Sequence, residues 1–420
     1  MTKERKEILV YAHWDGIEDP FLMGSLYATP SRGKEIFSFE YAKEWLQSHY
    51  AQIIDPDLQL FEGAQYLTDE KSNFGIFLDS SPDRWGRVLM MRKEAAKARK
   101  EERRPNTLME SDYLLGVYDN NRMGGLRFKT TSDGAFLDDD EAMAAPPLAA
   151  LRDLEFASLQ LEKEDASENP EYLKWLNMLM APGSSLGGAR PKANIRDTEG
   201  SLWIAKFPSQ NDRQDMGAWE MLAYRLAIQS GIEMAPSRVE KFSHHQHTFL
   251  TQRFDRNNNG TRTHFASAMT LLGYSDGTDY QDGVSYLELV EFLMQNGTDV
   301  NNDLKKLWRR IVFNIAISNT DDHLRNHGFL LRDSGWILSP AYDINPTPNG
   351  NGLKLNISET DNALDFDLVR EVAPYFRLKE KEADAIINTI GQNVAQWEQI
   401  ATDLGIPRNE MELMKNAFKY

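Results

Sequence analysis

GSSLGGARPKANIRDTEGSLWIAKF, residues 183–207, opens on glycines and closes on an apolar strand. Gly183, Gly187 and Gly188 free the backbone for close approach to an anion, and Arg190 and Lys192 add positive charge. Gly183 and Gly188 have the separation of a Walker A loop, but Ala189 and Arg190 stand where that loop needs Lys and Ser or Thr. A loop of that kind must also run into a helix whose amino terminus faces the phosphates. Here the chain continues through KANI, the turn RDTEG and then SLWIAKF, which puts Trp203, Ala205 and Phe207 on one face and Leu202, Ile204 and Lys206 on the other.

Strand, glycine loop, strand is the layout of a protein-kinase nucleotide flap. There, a lysine on the second strand reaches the nucleotide phosphates and a glutamate on the next helix holds it. Lys206 in WIAK and Glu220 in DMGAWEMLAYRLAIQSGI stand in those places. Further on, FLTQRFDRN, residues 249–257, ends an apolar strand in a polar segment, where Gln252, Arg253 and Phe254 are candidate hinge residues against an adenine.

SNTDDHLRNH, residues 318–327, crowds two aspartates, two histidines, an arginine and two asparagines between apolar runs. One reading is a zinc site, with His323 and His327 on one helix face at i, i+4 and Asp321 or Asp322 beside them, although the glutamate of an HExxH motif is missing. The other is a phosphotransfer loop, which needs a carboxylate to orient an acceptor hydroxyl and, five residues later, an amide oxygen for Mg²⁺. Asp321 and Asn326 have that spacing. The second carboxylate such a site needs is Asp343 in WILSPAYDINP, after the hairpin pattern GFLLRDSGWIL. The order Lys206, Asp321 with Asn326, then Asp343 favours the second reading. Under it His323 holds the loop, Asp322 is a solvated neighbour and His327 is structural.

The 420 residues, 41% hydrophobic, suffice for two or three domains with a substantial core. A formal charge of −17 argues against direct binding to a phosphate backbone. With no cysteine, neither disulfides nor thiolate chemistry can contribute. The apolar run near the start is too short for a signal peptide, and the expected location is cytoplasmic. Alternating runs over residues 8–40 predict a small antiparallel sheet, followed by a helix from Tyr41 to about Ser48. KEAAKARKEERR, residues 93–104, reads as a solvated helix. DGAFLDDDEAMAAPP, residues 133–147, reads as a linker, and 3.6-residue periodicity from Tyr286 onward predicts a helical half. The expected division is a β-rich subdomain over 1–132, a lobe with the glycine loop over 148–255 and a helical lobe over 256–420.

At these residues the sequence resembles the HipA-like serine/threonine kinases, toxins of bacterial toxin-antitoxin pairs. The resemblance runs over most of the chain, through HWDG, FGIFLDSSPDRWGR, DYLLGVYDNNRMGGLRF, SSLGGARPKA, IAKFP, QRFDR, NTDDHLRNHGFLL and LSPAYDINP. It implies an α+β, two-lobed protein-kinase-like fold with an extra N-terminal β-rich subdomain and an all-helical C-terminal lobe. It also implies ATP and Mg²⁺ as cofactors and a protein serine or threonine as acceptor, with aminoacyl-tRNA synthetases among the family's targets. The implied contacts are Gly187, Gly188, Ala189, Arg190, Pro191, Lys192 and Lys206 for phosphates and Gln252 to Phe254 for adenine, with His323 close to the nucleotide. Asp321 is the implied catalytic aspartate, and Asn326 and Asp343 are the implied Mg²⁺ ligands. Ser185, with Ser184 as an adjacent rival, aligns with a loop serine whose autophosphorylation ejects the loop and inactivates the enzyme. The implied partner is a small helix-turn-helix antitoxin, through which this acidic chain would reach DNA. Some relatives carry glycine where Asp322 stands, and an added carboxylate there would repel phosphate or recruit a second cation. Two other readings use the same residues: a catalytically weak nucleotide-binding protein that acts by holding an antitoxin, and a small-molecule kinase.

Overall fold

The computed structural model describes residues 5–67, 71–179, 188, 190–242, 246–257 and 259–420. Gly183, Ser184, Ser185, Gly187 and Ala189, singled out above, lie outside the described residues. The chain divides into two compact units: residues 1–210 with 255–266, and residues 211–254 with 267–420. The three-segment division expected from composition remains a proposal beside this partition.

The first unit begins with the expected antiparallel sheet. Strands β1 (Lys6–Ala12), β2 (Phe21–Ser31), β3 (Lys34–Tyr41), β4 (Gln65–Tyr66) and β5 (Leu126–Lys129) lie in the order β4-β3-β2-β1-β5. Alternation puts Ile8, Val10, Ala12, Leu26, Ala28, Phe37 and Phe39 into the core. The register of β1 against β2 slips between Val10 and Tyr11, next to Gly24. A Cβ on Gly24 would lie 2.2 Å from the Glu40 carbonyl oxygen, so only glycine fits the bulge.

The helix expected near residue 41 is a single turn, α1 (Lys43–Leu46). Helices α2 (Gly75–Asp79), α3 (Arg84–Lys100), α4 (Glu110–Leu115), α5 (Leu151–Leu161) and α6 (Tyr172–Leu179) complete the helical part of this unit. Asp83 caps α3 by accepting the Gly86 N–H at 2.8 Å. Residues 133–147 are not a free linker. The Leu137 N–H reaches the Phe128 carbonyl and the Asp138 N–H reaches that of Val117, both at 2.8 Å, and Met143 is buried. Acid-rich composition hid backbone pairing, which any side chain permits. The hairpin β6 (Lys192–Arg196) and β7 (Leu202–Lys206) follows, and its turn matches RDTEG.

In the second unit α7 (Met216–Gln229), capped by Asp215, precedes the antiparallel pair β8 (Ser237–Glu240) and β9 (Thr248–Gln252). Strand β10 (Phe265–Ser267), whose first two residues belong to the first unit, leads into α8 (Ala268–Leu271). The 3.6-residue patterns become α9 (Tyr286–Asn296) and α10 (Val300–Ala316). The hairpin β11 (Gly328–Arg332) and β12 (Gly335–Leu338) comes next, as GFLLRDSGWIL predicts. Helices α11 (Phe366–Val372), α12 (Glu380–Val394), α13 (Trp397–Asp403) and α14 (Arg408–Met414) close the chain. Helix α10 is buried along most of its carboxy-terminal half, including Trp308, Ile311, Val312, Phe313 and Ile315. Each such side chain contributes roughly 1.5–3 kcal/mol. That anchorage holds the segment immediately after α10, which carries the aspartates.

Candidate functional site

In the first unit the hairpin register sets Lys192 directly opposite Lys206. Opposite residues share a face of the ladder, and two ammonium groups there repel. Asp83 relieves this: its Oδ2 lies 2.6 Å from Lys192 Nζ, and both side chains are almost wholly buried. Lys192 Nζ also donates to the Gly188 carbonyl at 2.8 Å, and the Trp85 indole N–H donates to the Lys192 carbonyl at 3.2 Å. The charge of Lys192, expected to face phosphates, is therefore directed at Asp83, and the lysine braces the end of the glycine loop. The Pro191 carbonyl accepts the Phe207 N–H at 2.9 Å, which continues the pairing past Lys206. Lys206 is the last residue of β7 and is buried.

In the second unit Gln252 ends β9, and its N–H is held by the Pro236 carbonyl at 2.9 Å. Arg253 is buried, and the Phe254 ring lies 5.7 Å from that of Tyr342. Tyr342 in turn donates its hydroxyl to the Arg325 carbonyl at 2.7 Å. Glu220 is buried on α7.

The aspartate loop leaves α10 through Ser318, whose φ of +50° is left-handed. Asp321 is exposed and Asp322 is buried. Three donors converge on Asp322 Oδ2: the Tyr286 hydroxyl, Asn314 Nδ2 at 2.7 Å and His327 Nε2 at 2.8 Å. Burial pushes this carboxyl up, but attraction to His327 and the hydrogen bonds from His327 and Tyr286 outweigh it and leave it below the usual carboxylate value. Asp322 is thus no solvated neighbour. With its charge compensated from below, it neither faces incoming phosphate nor lies open to a second cation. The chain turns at Asp321, where the His323 N–H reaches the Asp321 carbonyl, and Asp322 takes the inner place, where Tyr286 and Asn314 offer it partners.

Asn326 closes a single 3₁₀ turn and is buried. Its Nδ2 donates to the Asp321 carbonyl at 3.0 Å, which leaves the amide oxygen as the atom available to a ligand. His323 donates its N–H to the Asp321 carbonyl at 3.0 Å, and its ring Nδ1 is buried with no hydrogen-bond partner among the described residues. His323 and His327 do not share a helix, and among the described residues no group of three or more His, Cys, Asp or Glu is gathered to hold a metal. The zinc reading therefore loses its ligand set. Asp343 follows β12 with a φ of +56°, and Asn345 Nδ2 lies 3.4 Å from its Oδ1. An amide oxygen and a carboxylate suit a hard ion such as Mg²⁺.

Asp83, Tyr286, Asn314, Asn319 and Asn345 were not singled out from sequence. Asn314 carried a signal, being the one polar residue inside the apolar run IVFNIAI of α10, and a buried amide must find partners.

The family model described as HipA-like C-terminal domain matches residues 184–398, just over half of the 420. The serine/threonine-protein kinase toxin HipA of Shewanella oneidensis is 25% identical over 193 residues, covering 39% of this chain and 43% of its own. A Haemophilus influenzae protein whose name places it provisionally among the kinases is 25% identical over 187 residues, covering 40% of this chain and 54% of its own. The matched part spans about half the length of these relatives. A solved structure titled as the Shewanella oneidensis complex of HipA, HipB and operator DNA superposes with a TM-score of 0.65 at 17% identity, over 98% of this chain and 94% of that one. The fold is shared with that HipA chain.

Proposed function

The chain belongs to the HipA-like C-terminal domain family, and from that premise we propose that it is an ATP- and Mg²⁺-dependent protein serine/threonine kinase. The observation that carries this reading is the split between the adjacent aspartates: Asp321 is exposed on a loop anchored from beneath by the buried Asp322. An exposed carboxylate on a rigid loop can orient an acceptor hydroxyl and take its proton as the O–P bond forms. Lys206 supplies the cation for the nucleotide phosphates, and Asn326 and Asp343 would hold Mg²⁺ through their side-chain oxygens. The bound ion would offset negative charge on the transferred phosphoryl group. Gln252 to Phe254 would meet the adenine, with the Gln252 N–H already committed to Pro236.

By kinship with HipA, the proposed role is the toxin of a toxin-antitoxin pair, restrained by a small helix-turn-helix antitoxin that reaches DNA on its behalf. Its proposed acceptor is a protein, an aminoacyl-tRNA synthetase among the candidates, and autophosphorylation at Ser185 would shut it off. The alternative of a catalytically weak nucleotide-binding protein drew on Asp322 as an intruding charge and on ejection of the glycine loop, and the burial of Asp322 withdraws the first of these.

Incubation with labelled ATP and Mg²⁺ tests the reading. Label is expected on the chain itself or on extract proteins, and Asp321→Asn is expected to abolish it. Equal labelling by wild type and variant would overturn the assignment.

A further inference from the structure

The loop of Asp321 and the turn of Asp343 are joined by a chain of side-chain amides that the proposed chemistry leaves unused. Asn314 Nδ2 donates to Asp322 Oδ2 at 2.7 Å, so its Oδ1 is left to accept, and it does so from Asn319 Nδ2 at 3.0 Å. That leaves Asn319 Oδ1, which accepts the Asn345 N–H at 3.3 Å. Asn345 Nδ2 then lies 3.4 Å from Asp343 Oδ1. The run is directional. Turning Asn314 over would set its oxygen against the Asp322 carboxylate, and turning Asn319 over would set donor against donor at Asn345.

The two amides at the centre are almost wholly buried, each with 1% of its surface exposed. Backbone bonds run alongside: Asn319 N–H to the Asn314 carbonyl at 2.8 Å, and Thr347 N–H to the Ser318 carbonyl at 3.2 Å. Each joined segment also contains a left-handed residue that is not glycine, Ser318 and Asp343. Such conformations persist where the surroundings over-determine them, and the amide run supplies that constraint at both ends.

We propose that Asn319 is a positioning residue which, through Asn314 on one side and Asn345 on the other, sets Asp343 relative to the Asp321 loop and so fixes the cation-binding oxygens. The inference rests on the kinase reading above. An apolar residue at 319 would keep the fold's hydrophobic contacts but leave the two segments free to shift, and the ion would feel that first.

The test is a Mn²⁺ titration of the full chain in the presence of a non-hydrolysable ATP analogue, with free Mn²⁺ read by electron paramagnetic resonance. Labelled-ATP transfer is measured alongside. Asn319→Ala is expected to weaken Mn²⁺ binding about tenfold and to lower kcat while leaving KM for ATP unchanged. Asn345→Ala, which removes only the last link, is expected to weaken Mn²⁺ by about threefold, below the range for a full outer-shell loss. A folded Asn319→Ala with Mn²⁺ affinity within about twofold of wild type overturns the proposal. Should circular dichroism show Asn319→Ala unfolded, Asn345→Ala decides, and unchanged Mn²⁺ affinity there overturns it. Wild type that binds neither analogue nor Mn²⁺ refutes the kinase reading itself, a result distinct from variants that bind as wild type does.

Discussion

Two buried aspartates, one in each unit, stand next to the residues proposed to act, and they are satisfied in different ways. Asp83 meets a cation, Lys192, at 2.6 Å, in a pair that is nearly dry. Asp322 meets two neutral donors, Tyr286 and Asn314, together with the ring of His327. In the first case two charges depend on each other, and deleting one strands the other in low dielectric. In the second the cost is divided among several hydrogen bonds, and deletion leaves several polar groups without partners at once. The glycine-loop strand is braced by charge and the aspartate loop by a network. The first should fail abruptly when one partner is removed, and the second should lose stability in smaller steps.

The largest effect should come where neither kind of support is touched. Asp321→Asn removes an exposed carboxylate, so thermal unfolding should hardly move, while transfer from labelled ATP falls by about a thousandfold or more, roughly 4 kcal/mol of barrier. A comparable fall in stability would mean that Asp321 is structural.

Asp83→Ala should cost about 4 kcal/mol in urea unfolding, because Lys192 stays buried and unpaired. Adding Lys192→Met should recover most of that loss. Additive effects in this double-mutant cycle would show that the pair is not coupled.

Asp322→Ala should cost less, about 3 kcal/mol, through the orphaned donors of Tyr286, Asn314 and His327. Asn314→Ala in the same background should add little. A full additional penalty would refute a shared network.

The smallest effect is in pH dependence, where two buried carboxylates have opposite signs. Burial pushes Asp55 up to about 6, only partly offset by the N–H groups of Ile76 and Asp57. Its folded value is raised, so its contribution is present below the ordinary carboxylate range and is lost as pH rises through about 6. Relative to Asp55→Asn, wild type should gain about 1.4 kcal/mol when pH falls from about 7.5 to about 5. Asp322 is lowered, so its contribution holds above the ordinary carboxylate range and is lost on further acidification. Parallel pH profiles for wild type and Asp55→Asn would remove the contrast.

Much of this was legible in the sequence. The alternation of residues 8–40, the glycine loop running into a strand instead of a helix and the 3.6-residue runs from Tyr286 onward record local rules, since strand and helix periods depend on near neighbours. For the same reason the sequence places Lys206 on a strand and orders Asp321, Asn326 and Asp343 around a hairpin. The linker expected over 133–147 failed because composition reports solubility, whereas backbone pairing to Val117 and Phe128 does not depend on it.

By itself, then, the sequence determined the order of elements and the chemical types available on each loop. Tertiary structure alone decided which of two adjacent aspartates turns inward and that Lys192 is neutralised by Asp83. It also decided which amides join the Asp321 loop to the Asp343 turn. Those outcomes depend on partners far away along the chain: Asp83 lies 109 residues from Lys192, Tyr286 lies 36 from Asp322, and Asn345 lies 26 from Asn319. A buried charge or amide takes whatever partner folding brings to it, and the spacing of residues along the chain does not record that partner.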